Sequence, residues 1–131
     1  MADALDVWAV EPIPDTDTLY MRAHKNYFFD GMLAPGVFRD REGAMSTDWC
    51  KYSTAEETQM RARSPKDNSV VQFPASSVRA IPLTVEHTPD VAGKNRAHSD
   101  VIGEKTTEVR IKLHRVTTIA LDAGWGSVRG Y

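Results

Sequence analysis

Cysteine is almost missing from this chain. The single Cys50 excludes an intrachain disulfide and a thiolate metal cluster, and such cysteine usage fits a reducing compartment. Long apolar runs are missing too. No stretch approaches the roughly 20 apolar residues of a membrane span, so no membrane partner is expected. The opening "MADALDVWAVEPIPDTD" has acidic residues and prolines where a signal peptide needs a basic start and an apolar stretch. A cytoplasmic protein is the expectation. Charge of one sign is also lacking: the formal net charge is −2, which gives no overall electrostatic case for nucleic acid or an anionic membrane. Nucleic acid remains open only through a local basic patch, such as Arg110, Lys112, His114 and Arg115. On a helix, that cluster reads first as a solvated face.

The common signatures of chemistry are absent as well. There is no G-x-x-x-x-G-K-[ST] loop, no G-x-G-x-x-G after a strand, no H-E-x-x-H and no EF-hand loop. No G-x-S-x-G elbow occurs, and Cys50 lacks a protease context. No two histidines lie within five residues of each other, so spacing signals no metal centre and no cofactor is expected. An enzyme here must assemble its site from scattered residues.

What is present is one domain's worth of ordinary globular sequence: 131 residues, 41% hydrophobic and 26% charged. A chain of this length buries about two-thirds of its unfolded surface, enough for a core without staples. Residues 1–17, with Pro12, Pro14 and several Asp residues, read as a flexible N-terminal arm. Residues 18–123 read as a single domain, and residues 124–131 as an irregular Gly-rich tail. "TLYMRAH" alternates Leu19, Met21 and Ala23 with Tyr20, Arg22 and His24, a strand pattern with one face inward. Asp30-Gly31 and Pro35-Gly36 are turn signals. "GVFRD" and "AMSTDW" around Arg41-Glu42-Gly43 suggest a short strand pair.

"STAEETQMRAR" (53–63) predicts a helix with Ser53 and Glu56 at capping-box spacing and Ser64-Pro65 as its stop. "NSVVQF" and "LTVEH" predict strands. "PASSVRAI" predicts a short helix with Pro74 at its first position, and "TPDVAGKNRA" a loop. Residues 106–121 carry both periods: Val109, Ile111 and Leu113 alternate, while Val109, Leu113, Val116 and Ala120 recur at helical spacing. Length decides for helix. The predicted fold is α+β, a small mostly antiparallel sheet with two or three helices packed on one face.

Histidines are the natural proton carriers near neutral pH. His24, His87 and His98 stand at strand ends or loop edges, where sites are built on rigid scaffolds. His24, Asp48 and His98 are the candidate catalytic set, since a His base needs an orienting carboxylate or amide. Ser46, Asn95, Gly103 and Lys105 are candidate ligand contacts. Ser46 and Asp48 share one face of a strand, and Gly103 and Lys105 precede an expected helix start that can hold an anion. Trp8, Trp125 and Tyr131 are candidate partner anchors, because aromatic residues dominate interface hot spots.

The run "LYMRAHKNYFFDG…GVFRDREGAMSTDW", followed by "NRAHSDVIGEK", resembles an uncharacterised family of small bacterial proteins. Its members carry LYRR…HP, SSAAF…SVD and NPAH-like signatures. The likeness spans roughly residues 18–121. In it His24 matches the first His, Phe38 the Phe, Ser46 and Asp48 the Ser and Asp, and Asn95, Ala97 and His98 the NPAH signature. Lys25 and Arg96 stand where the family has Pro, and "APGVF" stands for "SSAAF". The resemblance implies a helix over 106–121. It also implies an accessory component of a bacterial multi-component system, of defence or mobile-element type, that binds a larger protein or nucleoprotein complex. The alternative is a small enzyme acting on a nucleotide or phosphoester through a His/Asp site.

Overall fold

Alternation along Thr18–His24 (β1) organises the molecule. Leu19, Met21 and Ala23 are buried on one side, and Tyr20, Arg22 and His24 point to the other. The structure, a computed structural model, describes residues 6–125. β1 pairs along its whole length with Asn68–Pro74 (β5), from Thr18 opposite Pro74 to His24 opposite Asn68. On its other side lies Ala44–Trp49 (β4), with Leu19 opposite Trp49 and Tyr20 opposite Asp48. His98–Ile102 (β7) follows β4, and Thr84–His87 (β6) and Thr118–Leu121 (β8) close the edges. The order is β6-β7-β4-β1-β5-β8, and every pairing is antiparallel. A separate hairpin pairs Phe28–Phe29 (β2) with Met32–Leu33 (β3). Its turn, Asp30-Gly31, has φ of 52° and 80°, as a two-residue hairpin loop demands.

The α+β expectation holds. The core lies on the Leu19 face, where Trp49, Phe73, Phe38, Val101 and Leu113 have almost no exposed surface. The Phe38 and Phe73 rings meet edge to face at 6.5 Å. Ala75–Ala80 (α2) and Thr107–Val116 (α3) cover this face through Val78 and Leu113. Each such side chain contributes about 1.5–3 kcal/mol by leaving water. Ala55–Met60 (α1) lies instead across the opposite face, on β1 and β5, over the fully buried Val70. It covers only one half of that face.

Several local details differ from the sequence expectations, each for a visible reason. The capping box of α1 is one residue further on: Thr54 Oγ1 accepts the Glu57 N–H at 3.1 Å, and Glu57 Oε1 accepts the Thr54 N–H at 2.9 Å. Ser53 is not free to cap, because its hydroxyl is bonded to the Thr54 carbonyl and to Thr58 Oγ1. The helix ends at Met60, where Arg61 turns onto Asp48 and Ser53. Pro74 closes β5 and caps α2 rather than opening it. The Pro35–Val37 stretch is a 3₁₀ turn, and the expected strand pair there shrinks to one bridge, Arg41 with Ala44. Residues 106–121 use both of their periods in succession. Thr106 caps α3 by accepting the Val109 N–H at 3.2 Å, and the helix stops at Val116. The β-branched "TTIAL" then joins the sheet beside β5.

The stretch expected as an arm runs against the body from Glu11 to Asp17. Ile13 is buried, Asp17 accepts the Trp49 indole N–H at 2.9 Å, and Asp15 pairs with Arg79. The Glu11 N–H donates to His87 Nδ1 at 3.0 Å, and the Glu11 carboxylate accepts from Lys51 Nζ at 2.6 Å and from the Tyr52 hydroxyl. These donors, Lys51 first and then Tyr52, hold the Glu11 carboxyl below its ordinary value of 4.5. A carboxyl with a lowered folded pKa adds stability above the unfolded value and loses it as pH falls through the folded one. Thermal melts of Glu11→Gln are therefore expected to lose part of the wild-type decline in Tm below about pH 4.5; parallel acid limbs would show that Glu11 contributes nothing.

Candidate functional site

The half of the α1 face that the helix leaves open carries the polar residues of two neighbouring strands. Ser46 and Asp48 alternate away from Trp49 on β4. Across the ladder, Asp48 stands opposite His98 and Ser46 opposite Asp100. A cleft of about 610 Å³ opens here. Tyr20 and Arg22 of β1 form one wall, Thr58 and Arg61 the α1 side, and Asp90, Gly93 and Asn95 the opposing loop. Burial pushes the Tyr20 hydroxyl above its ordinary pKa.

Asp48 lies at the bottom of the cleft and is only 4% exposed. Its Oδ2 accepts from Thr58 Oγ1 at 2.9 Å and Arg61 at 2.8 Å, and its Oδ1 accepts from Asn95 Nδ2 at 2.8 Å. One carboxylate thus ties β4, the α1 end and the 88–97 loop together. Asn95 also accepts the Ala97 N–H at 3.1 Å, and its backbone pairs with Asp90 in both directions at 2.9 Å. A Cβ at Gly93 would lie 2.4 Å from Asp90 Oδ2, so a side chain there would have to displace the Asp90 carboxylate that accepts the Gly93 N–H. With three donors already engaged, the Asp48 carboxylate serves to join these elements.

His98 sits at the rim, half-buried. Its Nδ1 is 2.9 Å from the Thr88 carbonyl oxygen, and its Nε2 is 3.2 Å from Ser46 Oγ. A carbonyl only accepts, so this contact needs a proton on Nδ1. In a ring with one proton, the Nε2 lone pair then faces the exposed Ser46 hydroxyl. This is the arrangement of a serine nucleophile with a histidine base.

The sequence candidates separate accordingly. Ser46, Asp48, Asn95 and His98 come together in the cleft. His24 is elsewhere, capping a 3₁₀ turn by accepting the Asn26 N–H at 3.1 Å. Gly103 and Lys105 lie at the far end of the β4–β7 pair. Lys105 is buried, with its ammonium donating to the carbonyls of Gly43, Val101 and Gly103, and burial lowers its pKa. Gly103 has a φ of 135°, and a Cβ there would meet Leu83 at 2.6 Å. His87 donates from Nε2 to the Arg96 carbonyl at 2.7 Å, and His114 Nε2 donates to the Leu33 carbonyl at 2.7 Å. Trp8 is half-buried, while Trp125 packs edge to face on Phe28 and donates to the Lys66 carbonyl. Tyr131 lies outside the described residues. The late basic cluster is divided, since Lys112 pairs with Glu108 and His114 is turned to the hairpin.

Sequence reasoning missed Tyr20, Arg22, Thr58, Arg61, Thr88 and Asp90. Tyr20 and Arg22 were legible as the outward positions of β1, and Thr58 and Arg61 as one face of α1 at i,i+3 spacing. Thr88 gave no signal: neither its backbone carbonyl, which holds His98 Nδ1, nor its place one step past β6 is marked by residue type. Among the described residues no three His, Cys, Asp or Glu side chains converge as metal ligands, and no helix is long and apolar enough to cross a membrane. Comparison with protein-family models, curated proteins and solved structures finds no match.

Asp48→Ala leaves the buried Thr58 hydroxyl and Asn95 amide without their acceptor, and is expected to cost about 1–3 kcal/mol of unfolding free energy, read from the urea midpoint; a loss within error of zero would remove Asp48 from its structural role.

Proposed function

We propose that the cleft binds a nucleotide or other phosphoester and that Ser46 and His98 act on it. One observation carries the reading: Nε2 of His98, on a ring whose other nitrogen is held by a carbonyl, stands 3.2 Å from Ser46 Oγ. In the first step Nε2 takes the hydroxyl proton as Oγ bonds to phosphorus. The bond to the leaving oxygen breaks, and that oxygen receives the proton from Nε2. Water then repeats the sequence on the serine ester. Arg22 supplies positive charge along the wall, and Arg61, whose charge is paired with Asp48, supplies further N–H donors. Arg22 is pinned from behind by the Thr58 carbonyl at 3.3 Å, and Arg61 by Asp48 and Ser53. Guanidiniums held in place stabilise developing negative charge without reorganising.

Turnover of p-nitrophenyl phosphate, p-nitrophenyl esters and a nucleotide panel tests this. Ser46→Ala is expected to abolish hydrolysis, and His98→Ala to lower it about 100-fold or more, with Tm nearly unchanged for the exposed Ser46. Activity that survives in Ser46→Ala contradicts the reading.

The second reading, an accessory module of a bacterial defence or mobile-element system, draws support from the β2–β3 hairpin. Phe29 and Met32 face each other there at 62% and 61% exposure, which is the kind of apolar pair that interfaces cover. In its own host, a stoichiometric protein or nucleoprotein companion is expected to leave with Phe29→Ser/Met32→Ser; retention of the companion would clear the hairpin.

A further inference from the structure

The ring of His98 meets two oxygens of a single residue at Nδ1. The Thr88 carbonyl is 2.9 Å away and Thr88 Oγ1 is 3.0 Å away. The carbonyl can only accept, but a hydroxyl can do either. Its one proton has two destinations, Nδ1 or Asp100 Oδ2, which also lies 3.0 Å from Oγ1. An ionised carboxylate only accepts. The Thr88–Asp100 bond therefore exists only when the hydroxyl donates to Asp100, and Oγ1 then turns a lone pair to Nδ1. Both oxygens now demand a proton on Nδ1. A neutral imidazole has one ring proton, so Nε2 is left bare toward Ser46.

We propose that Asp100 is a positioning residue for the Ser46–His98 pair, acting through the Thr88 hydroxyl. The inference rests on the reading of the cleft as a reactive site. Asp100 does not hold the ring itself: its Oδ1 is 4.0 Å from Nε2, beyond hydrogen-bond reach. The backbone explains why the relay is in place. β7 alternation puts His98 and Asp100 on one face, with Asp100 opposite Ser46 on β4 and Glu86 on β6. Thr88 extends the β6–β7 ladder by one step, its N–H donating to the His98 carbonyl at 3.0 Å. Its carbonyl and hydroxyl are thereby aimed at the ring. Replacing the carboxylate with an amide reverses the logic. The Asn NH₂ can donate to Oγ1, the hydroxyl proton turns to Nδ1, and the ring proton moves to Nε2. That nitrogen then points a donor at Ser46 and cannot take its proton.

Long-range ¹⁵N–¹H NMR of the histidine rings at neutral pH reads the tautomer directly. Wild type and Thr88→Ser are expected to show Nδ1 protonated and Nε2 bare. Asp100→Asn is expected to raise the Nε2–H population several-fold, and Asp100→Ala, which adds no amide donor, to move it the same way. Thr88→Val keeps the carbonyl and the wild-type tautomer, and in that background Asp100→Asn is expected to add nothing. An unchanged tautomer in both Asp100 variants overturns the proposal, as does an equal Asp100→Asn effect with and without the Thr88 hydroxyl. Absence of turnover with the tautomer response intact would remove the reaction and keep the positioning. Turnover that depends on Ser46, without a tautomer response, would do the reverse.

Discussion

A buried carboxylate with three donors holds the polar half of this molecule together. Asp48 reaches one donor on the loop before β7 and two from the α1 end, from a strand that is itself next to the centre of the sheet. A charge taken so far from water needs all of these partners, since an unpaired one costs several kcal/mol. The requirement fixes more than the carboxylate. It seats α1 across β1 and β5, leaves the β4–β7 half of the face uncovered, and draws the 88–97 loop against the opening. The cleft is the space left between the two walls that Asp48 joins.

The meeting of side chains in that cleft follows from strand register. In an antiparallel pair the residues on one face are neighbours both directly and diagonally. Asp48 opposite His98 therefore brings Ser46 beside His98 as a diagonal partner, and Asp100 beside them both. A shift of the β4–β7 pairing by one residue would turn Ser46 and Asp48 into the core and Thr47 outward. The buried Thr47 hydroxyl, bonded to the Ser99 carbonyl at 3.0 Å, shows the opposite face satisfied in the present register. The shape of the cleft and the proposed Ser46–His98 pair thus depend on the same pairing.

The strands that were legible have plain periods. β1, β5 and β6 fall where alternation or β-branched runs put them, and the antiparallel α+β fold follows. Residues 106–121 were harder, because one stretch carries two periods and the chain uses both, breaking at Thr117. The capping box slipped by one residue because Ser53 and Thr54 are equivalent by spacing, and only the tertiary demand for the Ser53 hydroxyl separates them. In the site, Ser46, Asp48, Asn95 and His98 were legible by residue type, yet their roles were not. Asp48 looks like an acid or base until its three donors are seen, and His24 looks like its companion until the sheet takes it elsewhere. A backbone carbonyl such as that of Thr88 leaves no trace in sequence at all.

In the function we propose, His98 makes the Ser46 hydroxyl a nucleophile. An alkyl fluorophosphonate reports on it without knowledge of the substrate, since Oγ bonds to phosphorus and fluoride leaves. Mass spectrometry of the digested protein is expected to find the phosphonyl group on Ser46, with the rate of labelling falling about 100-fold in His98→Ala. Labelling that is absent from Ser46, or equally fast without His98, would remove the nucleophile–base pair.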